Sequence, residues 1–185
     1  MAELAKCFIV RNAGEYGTFY LREGVKGEGD RRYHWCELTC NTSFGTVGHY
    51  WSSMGGPAAW FLDKINRDYL IGKLWGMQET VFNADKAMRQ VRTMILQDRR
   101  AGDLSREEAR ARWNDIAGGA DDEFEFHTLV HDNDWLSETV YGGGSSFGEV
   151  PNPQAVGFYR HLWPVFIEQL KADAAAPAKE EACTT

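Results

Sequence analysis

Residues 31–40, RRYHWCELTC, decide how the first third of this chain folds. Two sets of side chains alternate along the stretch, with His34, Cys36, Leu38 and Cys40 on one face and Tyr33, Trp35, Glu37 and Thr39 on the other. A period of two residues is that of a β-strand whose faces meet different surroundings. The sequence therefore predicts a strand here, the clearest one in the chain.

Further strand signals lie on both sides of this stretch. Residues 7–10 and 16–21 are rich in β-branched and aromatic side chains and flank the turn sequence Asn12-Ala13-Gly14, which predicts a hairpin. A glycine-rich loop is expected over residues 24–30, and residues 43–51 continue the β-type composition. The first third of the chain is therefore predicted to form an antiparallel β-meander of three or four strands.

The period of the apolar residues changes to that of an α-helix after Pro57. It predicts one helix, or two short ones, up to residue 75. A further helix is predicted over residues 83–101, because Asn83 is a good cap and Gly102 a natural stop.

Three more segments complete the predicted helices. Ser105 and Glu108 form a capping-box sequence that starts one of them. Residues 121–131 fit both a strand and a helix, and the acidic start favours the helix. Residues 136–153 are rich in Gly and Ser and predict a loop, and residues 154–170 predict a last helix that an internal proline should kink or split.

Together these patterns predict an α+β fold in which the N-terminal meander packs with about five α-helices. The chain has 185 residues, of which 43% are hydrophobic and 13% aromatic, enough for one core. We therefore expect a single domain over residues 1–171. Residues 172–185 are mostly Ala, Pro and Glu and should form a disordered tail.

The charge of the chain is acidic overall and unevenly distributed. The formal net charge is −7, which argues against general binding to phosphate backbones. Residues 86–112 contain eight Lys or Arg against four acids, whereas residues 121–150 contain eight acids and no Lys or Arg. Either stretch could be an ordinary solvated surface, or the acids could meet a basic partner. The predicted partner-binding residues are Asp121, Asp122, Glu123, Glu125, Asp132, Asp134, Arg99 and Arg100.

Two patterns could carry catalysis instead. Residues 144–148, GSSFG, match the glycine-flanked serine of hydrolases, in which Ser146 would need His127 or His131 as its base. The surrounding glycines and prolines indicate a loop rather than the strand and helix that such a serine requires. His127 and His131 could also bind a metal ion from one helical turn, but the glutamate of a zinc-protease helix is missing. We therefore predict no catalytic residue, no metal site and no cofactor.

The cysteines and the chain start indicate the cellular compartment. Cys7, Cys36, Cys40 and Cys183 are too few and too unevenly spaced for a disulfide framework. In an extended strand Cys36 and Cys40 lie ~13 Å apart, too far to share one metal ion. The sequence has no signal-like start and no apolar run of membrane-spanning length. These features predict a cytoplasmic protein with free thiols.

Five short motifs follow one another in the second quarter of the chain: SFG at 43–45, YWSSMG at 50–55, FL at 61–62, DYL at 68–70 and KL at 73–74. This series resembles small uncharacterised proteins encoded by tailed phages and prophages. In that group the segment looks like a strand, a tight turn and a helix, and the resemblance implies no catalytic residues. It implies a mobile genetic element in the cytoplasm of a bacterial host, where small acidic proteins bind and block host machinery.

Charge segregation, the poor catalytic context and this resemblance together predict a non-enzymatic binding protein of phage origin. The expected partner is a host protein or ribonucleoprotein complex, and inhibition of a bacterial defence complex such as a CRISPR effector fits that role. Two alternatives stay open. One is a hydrolase or metal-dependent enzyme using Ser146, His127 or His131, and the other is a nucleic-acid-associated protein that binds through the helices of residues 89–112.

Overall fold

A computed structural model describes residues 5–29, 32–142 and 146–176 of the chain. The chain divides into two compact units. We call Met1–Glu79 with Asn152–Thr185 the sheet unit and Thr80–Pro151 the middle unit. In chain order the elements are β1 (Lys6–Asn12), β2 (Glu15–Lys26), β3 (Tyr33–Thr42), β4 (Gly45–Met54), α1 (Ala58–Lys64), α2 (Arg67–Trp75), β5 (Thr80–Phe82), α3 (Ala84–Ala101), α4 (Arg106–Asp115), α5 (Glu123–His131), α6 (Asp134–Gly142), β6 (Glu149–Pro151), α7 (Pro153–His161) and α8 (Trp163–Ala175).

The first four strands form one antiparallel sheet in the order β1-β2-β3-β4. This confirms the predicted α+β fold with its N-terminal meander, although the helices outnumber the five or so that were expected. The predicted loop over residues 24–30 is wrong in its first part, because β2 pairs with β3 as far as Lys26 opposite Tyr33. A register shift between His34 and Cys36 interrupts the pairing of β3 with β4.

Four helices complete the sheet unit. Residues 57–75 form two short helices, α1 and α2, separated where Asn66 accepts a hydrogen bond from the backbone N–H of Tyr69 and caps α2. Pro164 lies in the first turn of α8 and separates it from α7, because proline has no N–H to donate to the preceding turn. Helix α8 continues to Ala175, past the predicted start of the tail at residue 172, and residues 177–185 lie outside the described part of the chain.

The core of the sheet unit lies between one face of the sheet and these helices. The alternation of β3 is confirmed, since Cys36, Leu38 and Cys40 are buried in it. Aromatic rings from the helices fill the rest: the core also contains Trp75, Phe158, Trp163 and Phe166. Most of the remaining side chains of β1 and β2 are exposed, as expected for a sheet with one covered face.

The middle unit has a hydrophobic core of its own, which contains Met88, Val91 and Ile95 of α3 and Phe126 and Val130 of α5. The predicted ends of α3 are confirmed, with Asn83 as the cap and Gly102 in the left-handed conformation at φ 91°. The capping box of α4 is also present. Hydrogen bonding of the Glu108 carboxylate to the backbone N–H of Ser105, and then to its side chain, lowers the pKa of Glu108.

Glu123–His131 are helical, as favoured from the acidic start of residues 121–131. The loop predicted over residues 136–153 is wrong at both of its ends, and its residues 143–145 lie outside the described residues. Most of its first part lies in α6, where Leu136 and Val140 are one turn apart and both buried. Glu149–Pro151 form β6, which pairs with β5 in a two-stranded antiparallel sheet. The Gly and Ser content hid these short elements, because burial in the tertiary core outweighs local propensity.

The prediction of one domain over residues 1–171 stays a prediction, since two compact units can belong to one domain or to two. Of the helices in the described ranges, none combines the length and the apolar character that crossing a bilayer requires.

A substitution at Gly157 tests the packing of α7. A β-carbon at this residue would lie 2.3 Å from Cε1 of Phe44. We expect Gly157→Ala to lower the free energy of unfolding by about 1 to 3 kcal/mol, because the Phe44 ring has to move. Gly142→Ala is the matched control in a helix, because among the described residues no atom outside its own helix backbone and chain neighbours lies within 4 Å of its β-carbon. Urea unfolding measures both variants, and equal stabilities would contradict the close approach of α7 to Phe44.

The reactivity of the thiols tests the burial of β3. Cys7 is exposed, whereas Cys36 and Cys40 are buried. Burial, together with the charge of Glu23, raises the pKa of Cys36 to about 12, and burial also raises the pKa of Cys40. In a Cys183→Ser variant we expect Cys7 to react with a chromogenic disulfide reagent in the folded protein and the two buried thiols to react only in denaturant. Rapid reaction of all three in native buffer would show that β3 is not buried.

Candidate functional site

Two of the predicted partner-binding acids hold the start of α5. Asp122 is its cap, and its Oδ1 accepts a hydrogen bond from the backbone N–H of Glu125 at 2.8 Å. The carboxylate of Glu125 in turn accepts one from the backbone N–H of Asp121 at 2.8 Å. Both carboxylates also lie near the positive end of the helix dipole. They therefore have a structural role that charge patterning alone did not reveal.

The remaining side chains of this turn are exposed. We call Asp121, Asp122, Glu123, Phe124 and Glu125 the α5 patch. All five residues are exposed, and Phe124 leaves 79% of its surface open to solvent. Phe126, two residues further along the same helix, is 1% exposed, so the exposure of Phe124 among four carboxylates is not shared by its neighbour.

Asp132 and Asp134 lie at the other end of α5. This helix has 9 residues, so its ends are ~13 Å apart along the axis. Asp132 lies 3.5 Å from Nδ1 of His131, and Asp134 occupies the first turn of α6. The acids that are grouped in the sequence therefore form two clusters, and only the first surrounds an exposed aromatic ring.

Arg99 and Arg100 lie in the last turn of α3, where positive charge is favourable to the helix dipole. Both are exposed. Neither forms an ion pair within the described part of the middle unit. The structure therefore does not bring them together with the acids of α5, and the basic helices present the solvated face opposite the stripe of Met88, Val91 and Ile95.

A cleft of about 520 Å³ opens beside α5, entirely within the middle unit. Its aromatic lining consists of Phe82, Phe126, His127, Tyr141 and Phe147, and its polar lining includes Glu123, Ser146 and Glu149. Glu123 belongs both to the cleft and to the α5 patch. A concave site with aromatic walls and a few polar groups is the usual form of a ligand-binding site.

His127 joins two of the polar groups of the cleft. Its Nδ1 lies 2.9 Å from the hydroxyl oxygen of Tyr141, and its Nε2 lies 3.9 Å from Oε1 of Glu123. The rings of His127 and Tyr141 are parallel within 3°, with centroids 6.3 Å apart. Nδ1 is therefore within hydrogen-bond distance of Tyr141, whereas the separation of Nε2 from Glu123 is longer than a hydrogen bond.

The structure places Ser146 and His127 in the same cleft, as the hydrolase alternative requires. The geometry does not complete a nucleophile, because within the described residues no hydrogen bond joins Ser146 to His127, whose Nδ1 lies beside the Tyr141 hydroxyl. His131 lies outside the cleft with 90% of its side chain exposed. The glycine and serine before Ser146 in the GSSFG motif, residues 144–145, lie outside the described residues.

Metal ligands do not gather in the described ranges of the chain: nowhere in them do three His, Cys, Asp or Glu side chains converge on one point. His127 and His131 each face a carboxylate instead. Cys36 is buried in the sheet unit with its thiol 3.5 Å from the sulfur of Met54, in agreement with its interpretation as a small apolar core residue.

Sequence reasoning missed Phe124 and Tyr141 as surface residues. Phe124 could have been found, because once residues 121–131 are taken as a helix, Phe126 and Val130 define its buried face and Phe124 points elsewhere. Tyr141 gave no such signal, because it lies in the segment that the Gly and Ser content assigned to a loop.

Comparison with known protein families identifies a phage family. The model of a phage family, Phage_phiTE_072, matches residues 30–171, well over half of the chain. No curated protein and no solved structure matches the chain. The predicted phage resemblance is confirmed at this level, while the short motif series from SFG to KL stays a prediction.

Replacing Asp122 and Asp121 one at a time compares an aspartate that caps α5 with one whose side chain caps nothing. We expect Asp122→Ala to lower the free energy of unfolding by about 1 kcal/mol, because the N–H of Glu125 loses its acceptor. Asp121→Ala removes the same charge one residue away and should change stability by less than ~0.5 kcal/mol, since the Asp121 side chain caps nothing. Urea unfolding and amide exchange of α5 measure both. Equal effects would show that charge, not capping, is what matters here.

Proposed function

Because the chain belongs to a phage family, we propose that it is a non-enzymatic binding protein that engages a basic surface of a host protein or ribonucleoprotein complex. The α5 patch is the contact surface in this proposal. The observation that carries it is the exposure of Phe124, 79% of whose surface is open to solvent among four carboxylates.

An exposed phenylalanine is a natural anchor for a partner. Moving a phenylalanine side chain from water into an apolar pocket contributes about 1.5 to 3 kcal/mol. Binding energy at interfaces concentrates in a few such aromatic anchors, and polar groups at the rim set orientation and specificity. Phe124 with the charges of Asp121 and Glu123 around it has this composition.

The charge of the segment favours a basic partner. Residues 121–150 contain eight acids and no Lys or Arg, in a chain of net charge −7. Such a field accelerates the encounter with a positive surface and disfavours acidic partners and nucleic acid. Partners of this kind include proteins that hold nucleic acid in a positively charged groove.

Bacterial defence complexes fit this description. CRISPR effectors hold a guide–target duplex in a positively charged channel and recognise it through its backbone. A small acidic protein with an aromatic anchor could occupy such a channel in place of nucleic acid. In this proposal the protein acts in the cytoplasm of the bacterial host as an inhibitor of a defence complex.

Substitutions that leave the cap of α5 intact test the proposal. We expect Phe124→Ala and the pair Asp121→Lys with Glu123→Lys each to reduce capture of a partner from host lysate about tenfold or more, as loss of a hot-spot residue does. Asp122 and Glu125 are left unchanged because their replacement would disturb the helix. Quantitative mass spectrometry of the captured proteins is the measurement.

Matched controls come from α4 of the same unit. Trp113→Ala removes an aromatic ring that is 40% exposed, and Glu107→Lys reverses an exposed charge. Both should capture the partner as wild type does. Nuclease treatment before capture distinguishes a protein partner from a ribonucleoprotein. Capture that falls equally in the control and patch variants, or in neither, would refute the assignment of the α5 patch.

A further inference from the structure

The cleft beside the α5 patch has the chemistry of a site for an organic cation. Its floor and walls are aromatic: the Phe82 and Phe126 ring centroids lie 5.4 Å apart, and those of Phe126 and Phe147 lie 6.5 Å apart. The stacked rings of His127 and Tyr141 form a further wall. The faces of aromatic rings carry partial negative charge and attract cations.

The described lining of the cleft contains two carboxylates, and His127 is its one basic group, with Nε2 3.9 Å from Glu123. Glu123 and Glu149 are the two carboxylates of the cleft, and Lys and Arg are absent from its described lining. Lys86 is the cation beside it, and its ammonium donates to the backbone carbonyl of Glu149. It faces a separate cleft of about 390 Å³, which Arg89 also lines. The larger cleft therefore has two carboxylates and neither lysine nor arginine in its described lining.

These features exclude other classes of ligand on physical grounds. An anion would be repelled by Glu123 and Glu149. A neutral aromatic group would strip water from those carboxylates without replacing its hydrogen bonds, which is unfavourable. A guanidinium or ammonium group meets both requirements, because it can lie against the rings and donate to the carboxylates.

We infer that this cleft binds the guanidinium or ammonium group of an organic cation, supplied by an arginine or lysine side chain of the partner. The inference rests on the proposed function, because Glu123 is shared by the cleft and the α5 patch. A basic chain that covers Phe124 thereby presents a side chain to the cleft. The cleft would bind one arginine or lysine side chain of the partner, while the negative charge of the α5 patch attracts the basic surface around it.

Small-molecule probes test the cleft without the unknown partner. The N-acetyl, N-methylamide derivatives of arginine and lysine carry one cation each, and the citrulline derivative has nearly the shape of arginine without the charge. Binding is followed by nuclear magnetic resonance of isotope-labelled histidine and tyrosine rings. We expect saturable shifts of His127 and Tyr141 with the arginine or lysine derivative and about tenfold weaker binding of the citrulline derivative. Equal binding of the arginine and citrulline derivatives would overturn the inference.

Two double variants with the same change in charge distinguish a contact with the carboxylates of the cleft from the effect of the net negative charge of the protein. Glu123→Gln with Glu149→Gln removes both carboxylates of the cleft and should weaken binding of the arginine derivative about tenfold. Glu107→Gln with Glu138→Gln removes the same charge from exposed sites of α4 and α6 that do not line the cleft. The second pair should bind as wild type does. Equal loss in the two pairs would overturn the inference.

A free polyamine is the other source of the same chemistry, and spermidine is its probe. Tighter binding of spermidine than of an arginine-containing peptide would assign the cleft to a free cation, and the reverse order to a partner side chain. The two proposals can fail separately. If the probes bind but Phe124→Ala captures the partner normally, the α5 patch fails and the cleft stands. If Phe124→Ala loses the partner but no probe shifts the rings, the cleft fails and the α5 patch stands.

Discussion

The stacking of Phe19 on Phe166 is the contact on which the sheet unit depends. The two ring centroids are 4.4 Å apart and the planes differ by 11°. Phe19 belongs to β2 and Phe166 to α8, so the contact joins early and late parts of the chain. A sheet with one apolar face is not stable in water until something covers that face. Helices from the end of the chain provide the cover, and the N-terminal strands cannot bury their core without them.

The middle segment leaves the sheet unit and returns to it at neighbouring points. The chain leaves the sheet unit after Glu79 and re-enters it at Asn152. The backbone N–H of Asn152 donates to the carbonyl oxygen of Glu79 at 2.9 Å, and its side chain donates to that of Gln78 at 2.8 Å. These hydrogen bonds therefore hold together the two points of the sheet unit between which the middle unit is inserted. The middle unit then buries apolar residues in a core of its own.

The four acids at the start of α5 divide into two that cap the helix and two that do not. Asp122 and Glu125 satisfy backbone N–H groups at the start of α5, whereas Asp121 and Glu123 leave their carboxylates directed to solvent or to the cleft. The positive end of the helix dipole makes this concentration of negative charge tolerable. A stable helix end thus presents a negative surface, and Phe124 adds an apolar group to it. The acids that begin α5 therefore also form part of the proposed partner surface.

The sequence by itself determined the elements whose signal is local. The alternation of residues 31–40, the caps Asn83 and Ser105 and the break at Pro164 each act within a few residues, so the meander and most of the helices could be predicted from them. Only the tertiary structure decided the rest. Residues 134–142 form a helix because Leu136 and Val140 are buried in a core. The acids that are grouped in the sequence lie at the two ends of α5. His127, Tyr141 and Glu123 line one cleft. Such neighbours are joined by packing between distant segments, and no periodicity along the chain encodes that.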